Sequence, residues 1–262
     1  MYADCAVTQH RAMRTFLGLG KCAPLPAMYG DLKWSSAFVR HQASAVRYWA
    51  RLIKMPHSRL TRRIFDWDYA ISISGRRCWN KDIKDIFNNC NLQHLFAPDS
   101  WSSYSVSGIY DAVSKALLYK HRQQLIASSE TMSRLRVYNA LDATRTETDS
   151  YIGLSRGLRT AIAKLRSGTL PLAIETGRYT NTPPERRICR MCNDDEIENE
   201  LHFLFICDRF TDIRLQHLGN ILNDNVNIPY IDTLSIILSN ISTTKSLAKY
   251  IIDSMRRRRS LR

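Results

Sequence analysis

Apolar residues in the first half of the chain recur at the interval of an α-helix. Between Ser35 and Lys54 they fall at Phe38, Val39, Val46, Trp49, Leu52 and Ile53, with His41, Arg47, Arg51 and Lys54 between them. That spacing predicts a helix with one buried face. Similar patterns cover 58–73 and 81–87. Further helices are expected over 109–127, 131–141 and 151–166. The last carries a stripe of Leu154, Leu158, Ile162 and Leu165 and stops at Gly168, a residue suited to ending a helix. The chain therefore reads as mainly α.

The pattern divides unevenly. All five tryptophans, Trp34, Trp49, Trp67, Trp79 and Trp101, precede residue 102, and the densest cysteine cluster follows residue 188. Between them the stretch 143–150 (ATRTETDS) is polar and without apolar period, as a hinge or surface loop would be. Two parts are expected: 1–145, a Trp-rich multi-helix domain, and 146–262, a basic helix, a small metal-binding unit and C-terminal helices. Thr180–Pro184 (TNTPP) is a second break, just ahead of the cysteines. No internal repeat is visible.

Composition adds a partner class. At 262 residues and 44% hydrophobic, the chain has enough apolar material for a substantial core. Its 38 Lys+Arg against 24 Asp+Glu give a formal charge of +14, which attracts polyanions, nucleic acid first among them. Seven cysteines, and a start without the basic and apolar regions of a secretory signal, point to reduced thiols in an intracellular setting, cytoplasmic or nuclear. No apolar run approaches the ~20 residues of a membrane span, so no membrane association is expected.

Cys189, Cys192, His202 and Cys207 are spaced C-x2-C-x9-H-x4-C. Two cysteines separated by two residues close a tight knuckle with both sulfurs on one metal. A tetrahedral zinc then needs two more N or S ligands, which His202 and Cys207 supply. Scattered buried thiols, or a redox C-x-x-C, would leave the spacing of His202 and Cys207 unexplained. With four protein ligands one zinc would be structural, with no position for a catalytic water. The second pair carries a constraint. Five steps of about 100° put His202 and Cys207 about 140° apart on an unbroken α-helix. A helix beginning near Ile197, behind the acidic Asp194, Asp195, Glu196 and Glu198, must therefore loosen or end before Cys207. Cys5, Cys22, Cys78 and Cys90 show no comparable arrangement, and core packing is expected for each.

Three segments carry a resemblance: Lys164–Tyr179 (KLRSGTLPLAIETGRY), Ile188–Cys192 (ICRMC) and Glu200–Cys207 (ELHFLFIC). Together they resemble the zinc-binding tail of reverse transcriptases from non-LTR, LINE-type retrotransposons. Arg11–Gly18 (RAMRTFLG) and Tyr29–Trp34 (YGDLKW) are similar to the helical region that follows the polymerase core in those proteins. The resemblance implies a detached C-terminal part of such an enzyme that contacts template RNA or target DNA. A module docking the polymerase core is the alternative. It does not imply catalysis. The family's aromatic-Ala-Asp-Asp turn is only imitated by Tyr2-Ala-Asp-Cys5, where a cysteine replaces the second metal-binding carboxylate. No glutamate follows Glu200 to build a tail nuclease.

Nucleic acid is expected on the upstream side of the knuckle, away from the acids at 194–200. The contacts would be Arg156, Arg159, Lys164 and Arg166, then Arg178, Arg186, Arg187 and Arg190, whose guanidinium forks suit phosphate oxygens. Tyr179 would either stack on an unpaired base or pack in the core. The run Arg256–Arg259 with Arg262 reads equally as a phosphate-binding or import signal and as a solvated helix end.

Overall fold

The computed structural model describes residues 2–142, 151, 153–192 and 194–260. Its helices are α1 (Tyr2–Leu17), α2 (Leu25–Leu32), α3 (Ala37–Ile53), α4 (Leu60–Ile73), α5 (Trp79–Asn89), α6 (Val106–Glu130), α7 (Arg136–Asp142), α8 (Arg156–Arg166), α9 (Ala173–Thr176), α10 (Thr211–Asn223), α11 (Tyr230–Ser239) and α12 (Ile241–Ser260). No strand occurs among the described residues, only an isolated antiparallel bridge between Ile188 and Ile197. The fold is mainly α, with C-terminal helices following the cysteine cluster. No described helix is long and apolar enough to cross a membrane.

The described residues form two compact units. One comprises residues up to Gln9 and Trp34–Leu125; the other comprises His10–Lys33 and the chain from Ile126 onward. The boundary expected within 143–150 lies outside the described residues.

In the first unit α3 follows its expected pattern except at Phe38, which is exposed rather than on the buried face. Ser36 caps its start, accepting from the Phe38 N–H at 3.2 Å. Arg62 caps its end, donating to the Leu52, Ile53 and Met55 carbonyls where the helix stops. Trp49 is fully buried, with Phe87, Phe96 and Trp101 centred 5.2, 5.5 and 5.9 Å from it. Its indole N–H donates to Asn80 Oδ1 at 2.8 Å, so the polar edge is satisfied inside the core. Tyr2–Cys5 lies within α1, a helix rather than a turn.

The second unit is built around α12, which packs on α8, α10 and α11. The helix expected over 131–141 divides into a 3-10 turn at Ser133–Leu135 and α7. The helix expected from Tyr151 begins at Arg156; Tyr151 is buried, with its hydroxyl donating to Asp31. Gly168 ends the segment with φ +61°, and its Cα faces the Arg134 carbonyl so closely that a Cβ would lie 2.1 Å from that oxygen. Only glycine meets both conditions.

Candidate metal centre

A short paired segment presents the first two ligands. The Cys189 N–H donates to the Glu196 carbonyl at 2.7 Å and the Glu198 N–H to the Arg187 carbonyl at 2.9 Å, flanking the Ile188–Ile197 bridge. The loop this closes turns back on itself, and the Met191 N–H points at Cys189 Sγ at 3.4 Å.

The second pair solves its angular problem with a π turn. The helical segment begins at Glu200, a few residues past the expected start near Ile197, behind Asn199, whose side-chain oxygen accepts from the His202 N–H at 2.9 Å. His202–Ile206 is π-helical, and the Cys207 N–H donates to the His202 carbonyl at 2.8 Å. A bond from residue i+5 to residue i sets the two about one turn apart, on the same side. Cys207 itself leaves the helix in an extended conformation, φ −50° and ψ 119°.

The four residues converge in the interior. Cys189 Sγ is 3.9 Å from Cys207 Sγ, Cys192 Sγ is 3.4 Å from His202 Nε2, and all four donor atoms lie within 4.8 Å of one another. Every member is buried. The group could hold a metal ion, with His202 Nε2 as the ligating nitrogen. Its Nδ1 is buried without a hydrogen-bond partner among the described residues. A second set, Cys192 with Asp194 and Asp208, shares one sulfur, but its two carboxylates are exposed.

Without a metal the thiols titrate unequally. The hydrogen bond shared by Cys189 and Cys207 pulls the Cys189 thiol down to about 4, with help from the Met191 and Cys192 N–H groups. The same bond, and then burial, push the Cys207 thiol up, and burial pushes Cys192 up. Binding a metal displaces the protons that the thiols carry.

Around this group the polar contacts run deep. Glu198 pairs with Arg258 through both oxygens, at 2.8 Å for Oε2, and Oε2 also accepts from the Ala173 N–H at 2.6 Å. Burial pushes the Glu198 carboxyl above the usual carboxylate range, against the pull of Arg258. Glu200 is buried against Arg136. Arg214 donates to the Leu204 carbonyl at 2.8 Å and the Cys207 carbonyl at 2.5 Å, closing the end of the π turn, and the Tyr250 hydroxyl donates to Phe203 O at 2.6 Å.

These contacts correct several expectations. Glu198 and Glu200 are interior ion-pair partners, so the phosphate-repelling surface narrows to Asp194, Asp195 and Glu196, which are exposed. Arg258 is buried rather than part of a solvated tail. Arg257 grips Asp212 at 2.5 and 2.6 Å, and Arg256 lies 3.4 Å from Asp253. Arg262 lies outside the described residues.

The expected nucleic-acid contacts divide in two. Arg166 is buried, 2.6 Å from Asp31, so its guanidinium is not offered to phosphate. Arg187 donates to the Thr182 and Ile174 carbonyls, each at 2.8 Å. Arg178 pairs with Glu175 at 2.9 Å, and Arg159 stacks 4.0 Å from the Phe16 ring centre while donating to the Phe16 carbonyl. Lys164 is half-buried. Arg156, Arg186 and Arg190 are exposed, and Tyr179 is 69% exposed rather than packed in the core.

No family model, curated protein or solved structure matches the chain.

Proposed function

We propose that Cys189, Cys192, His202 and Cys207 hold one structural zinc ion, and that the chain is a non-catalytic nucleic-acid-binding module. It is of the kind that forms the zinc-binding C-terminal region of non-LTR reverse transcriptases. The observation that carries the zinc reading is the size of the buried donor set. Tetrahedral zinc with bonds of ~2.3 Å to sulfur and ~2.0 Å to nitrogen has edges of ~3.8 Å between sulfurs and ~3.5 Å between sulfur and nitrogen. Two of the six separations are 3.9 and 3.4 Å, and all lie within 4.8 Å. Three thiolates and one imidazole fill all four positions, which suits a structural ion.

Template RNA or target DNA would meet Arg156, Arg186 and Arg190 as phosphate contacts, with Tyr179 available to stack on a base. The reduced thiols that zinc requires suit an intracellular site of action. Metal analysis should return one zinc per chain, lost on Cys192→Ser. Arg186→Gln with Arg190→Gln should weaken RNA and DNA binding and flatten its salt dependence. A chain that carries no zinc, or a salt slope unchanged by the double substitution, refutes the corresponding half.

A second reading, docking to a polymerase core, draws on α4. Leu60, Ile64 and Trp67 fall at i, i+4 and i+7 on one face and are 70%, 56% and 67% exposed. An exposed apolar stripe of that kind marks a protein contact. Ile64→Glu with Trp67→Glu should abolish capture of a polymerase domain in the absence of nucleic acid while leaving zinc content intact.

A further inference from the structure

The first unit holds a basic face that none of the contacts above includes. Arg40, Arg47 and Arg51 of α3 are exposed and fall at i, i+7 and i+11, within an arc of about 40°. Along the helix axis they are ~10.5 and ~6 Å apart. The exposed Lys54 continues the row, its ammonium held by the Trp101 carbonyl. Along the chain no acidic residue interrupts them: α3 has none, and from 32 to 65 the sequence carries eight Lys and Arg and no Asp or Glu. Most surface helices interleave both signs, so a one-signed row is a local field rather than a solubility device.

Two aromatic rings border the row. Tyr48 is half-exposed, with its edge toward Trp79 at 5.9 Å. Arg47 lies 5.3 Å from the Tyr110 ring centre, in an open cavity of about 480 Å³ that Arg51, Val106 and Ser107 also line. Asp111 contributes an acidic group to the same wall.

We propose that this face of α3 binds a single-stranded nucleic acid, with Arg40, Arg47 and Arg51 on successive phosphates and Tyr48 presented to an unpaired base. A track of cations beside aromatic rings is the arrangement by which proteins hold single strands without reading sequence. A duplex would offer phosphates to the arginines but no free base face to the ring. The surface lies in the unit that does not contain the metal centre, so it adds to the zinc-side contacts and does not depend on them.

The test uses the full chain and a labelled oligo(U) strand of about 20 nucleotides, with a duplex of equal length as the comparison. Arg40→Gln, Arg47→Gln and Arg51→Gln together should weaken strand binding at least tenfold. They should also lower the slope of log K against log salt by about 2, from ~0.7 per phosphate contact. The triple Lys replacement should retain the slope, and tryptophan emission should be unchanged in both variants. A triple Gln variant that binds the strand like the parent overturns the proposal, even where the Arg186 and Arg190 substitutions abolish binding. Loss confined to the duplex overturns it as well. Loss in the triple variant, with no effect of Arg186 and Arg190, upholds it while removing the zinc-side contacts.

Discussion

Replacing Arg258 by Leu tests whether the metal unit is secured by the C-terminal helix. Glu198 and Arg258 are 1% and 6% exposed at their side chains, and Glu198 Oε1 lies 3.9 Å from Cys189 Sγ. Without the guanidinium, a buried carboxylate keeps the hydrogen bond from the Ala173 N–H and faces the Cys189 sulfur, which would be a thiolate with zinc bound as proposed. Removing one member of a buried pair costs about 3–5 kcal/mol. That is a shift of roughly a hundred- to several-thousand-fold in the folding equilibrium. Glu198→Leu should cost a similar amount, with about 1 kcal/mol of it from the lost cap on α9. The double variant Glu198→Leu with Arg258→Met should be much less harmful than the sum, because the desolvation of both charges disappears with them.

Urea unfolding at saturating zinc provides the assay, followed by far-UV circular dichroism and by tryptophan emission. Every tryptophan lies in the first unit, so emission reports that unit and the remaining ellipticity change reports the second. The substitutions should move only the second transition. An Arg258→Leu midpoint within about 1 kcal/mol of the parent, or a double variant as unstable as the sum, refutes the assignment of this pair as a buried, coupled one.

Chelation should unfold helices throughout the second unit while tryptophan emission holds, because the metal unit is tied to α7, α9, α10 and α12 through Arg136, Ala173, Arg214 and Arg258. Parallel loss of both signals in a chelator titration contradicts that division. Asp31→Asn leaves Arg166 buried without its counter-charge and should cost about 3–5 kcal/mol in urea unfolding. Gly168→Ala combines a positive φ with the approach to the Arg134 carbonyl and should cost more than about 1 kcal/mol by the same measurement. The hydrogen bonds from Arg257 hold the Asp212 carboxyl down at about 2, below its unfolded value. Its stabilisation is therefore present above the ordinary carboxylate range and is lost as pH falls toward 2. Asp212→Asn should lower the melting temperature at neutral pH, with the difference from the parent shrinking as pH falls through about 2 and vanishing below it.

Helices with a strong apolar period were legible in the sequence, α3 above all, because the buried stripe of Val39, Val46, Trp49 and Ile53 fixes both period and extent. The convergence of Cys189, Cys192, His202 and Cys207 was legible because metal geometry constrains spacing along a short piece of chain. The conflict between His202 and Cys207 could be calculated, but not its resolution: a π turn depends on the Arg214 guanidinium and the Tyr250 hydroxyl reaching its carbonyls from later helices. The fate of the arginines was not legible. Arg166 meets Asp31 across 135 positions and Arg258 meets Glu198 across 60, and nothing local distinguishes them from the exposed Arg156 or Arg186. The α3 row did leave a trace, the acid-free stretch from 32 to 65, which a count of charge by segment would have found.

The buried acids bear on the proposed nucleic-acid partner. Asp31, Glu175, Glu198 and Glu200 are each buried against an arginine, Arg166, Arg134, Arg258 and Arg136. Arg166 and Arg258 are buried with their acids while Arg134 and Arg136 stay partly exposed, so the pairing withdraws acids from the surface, where they would have interrupted the basic field, more than it withdraws arginines. The remaining excess is displayed by residues such as Arg40, Arg47, Arg51, Arg186 and Arg190. An arginine buried with a carboxylate contributes to folding and is neutral to a polyanion, whereas an exposed arginine is charged to it. Substituting Arg258 should therefore change stability while leaving the salt slope of nucleic-acid binding by the folded chain unaltered. Substituting Arg51 should do the reverse.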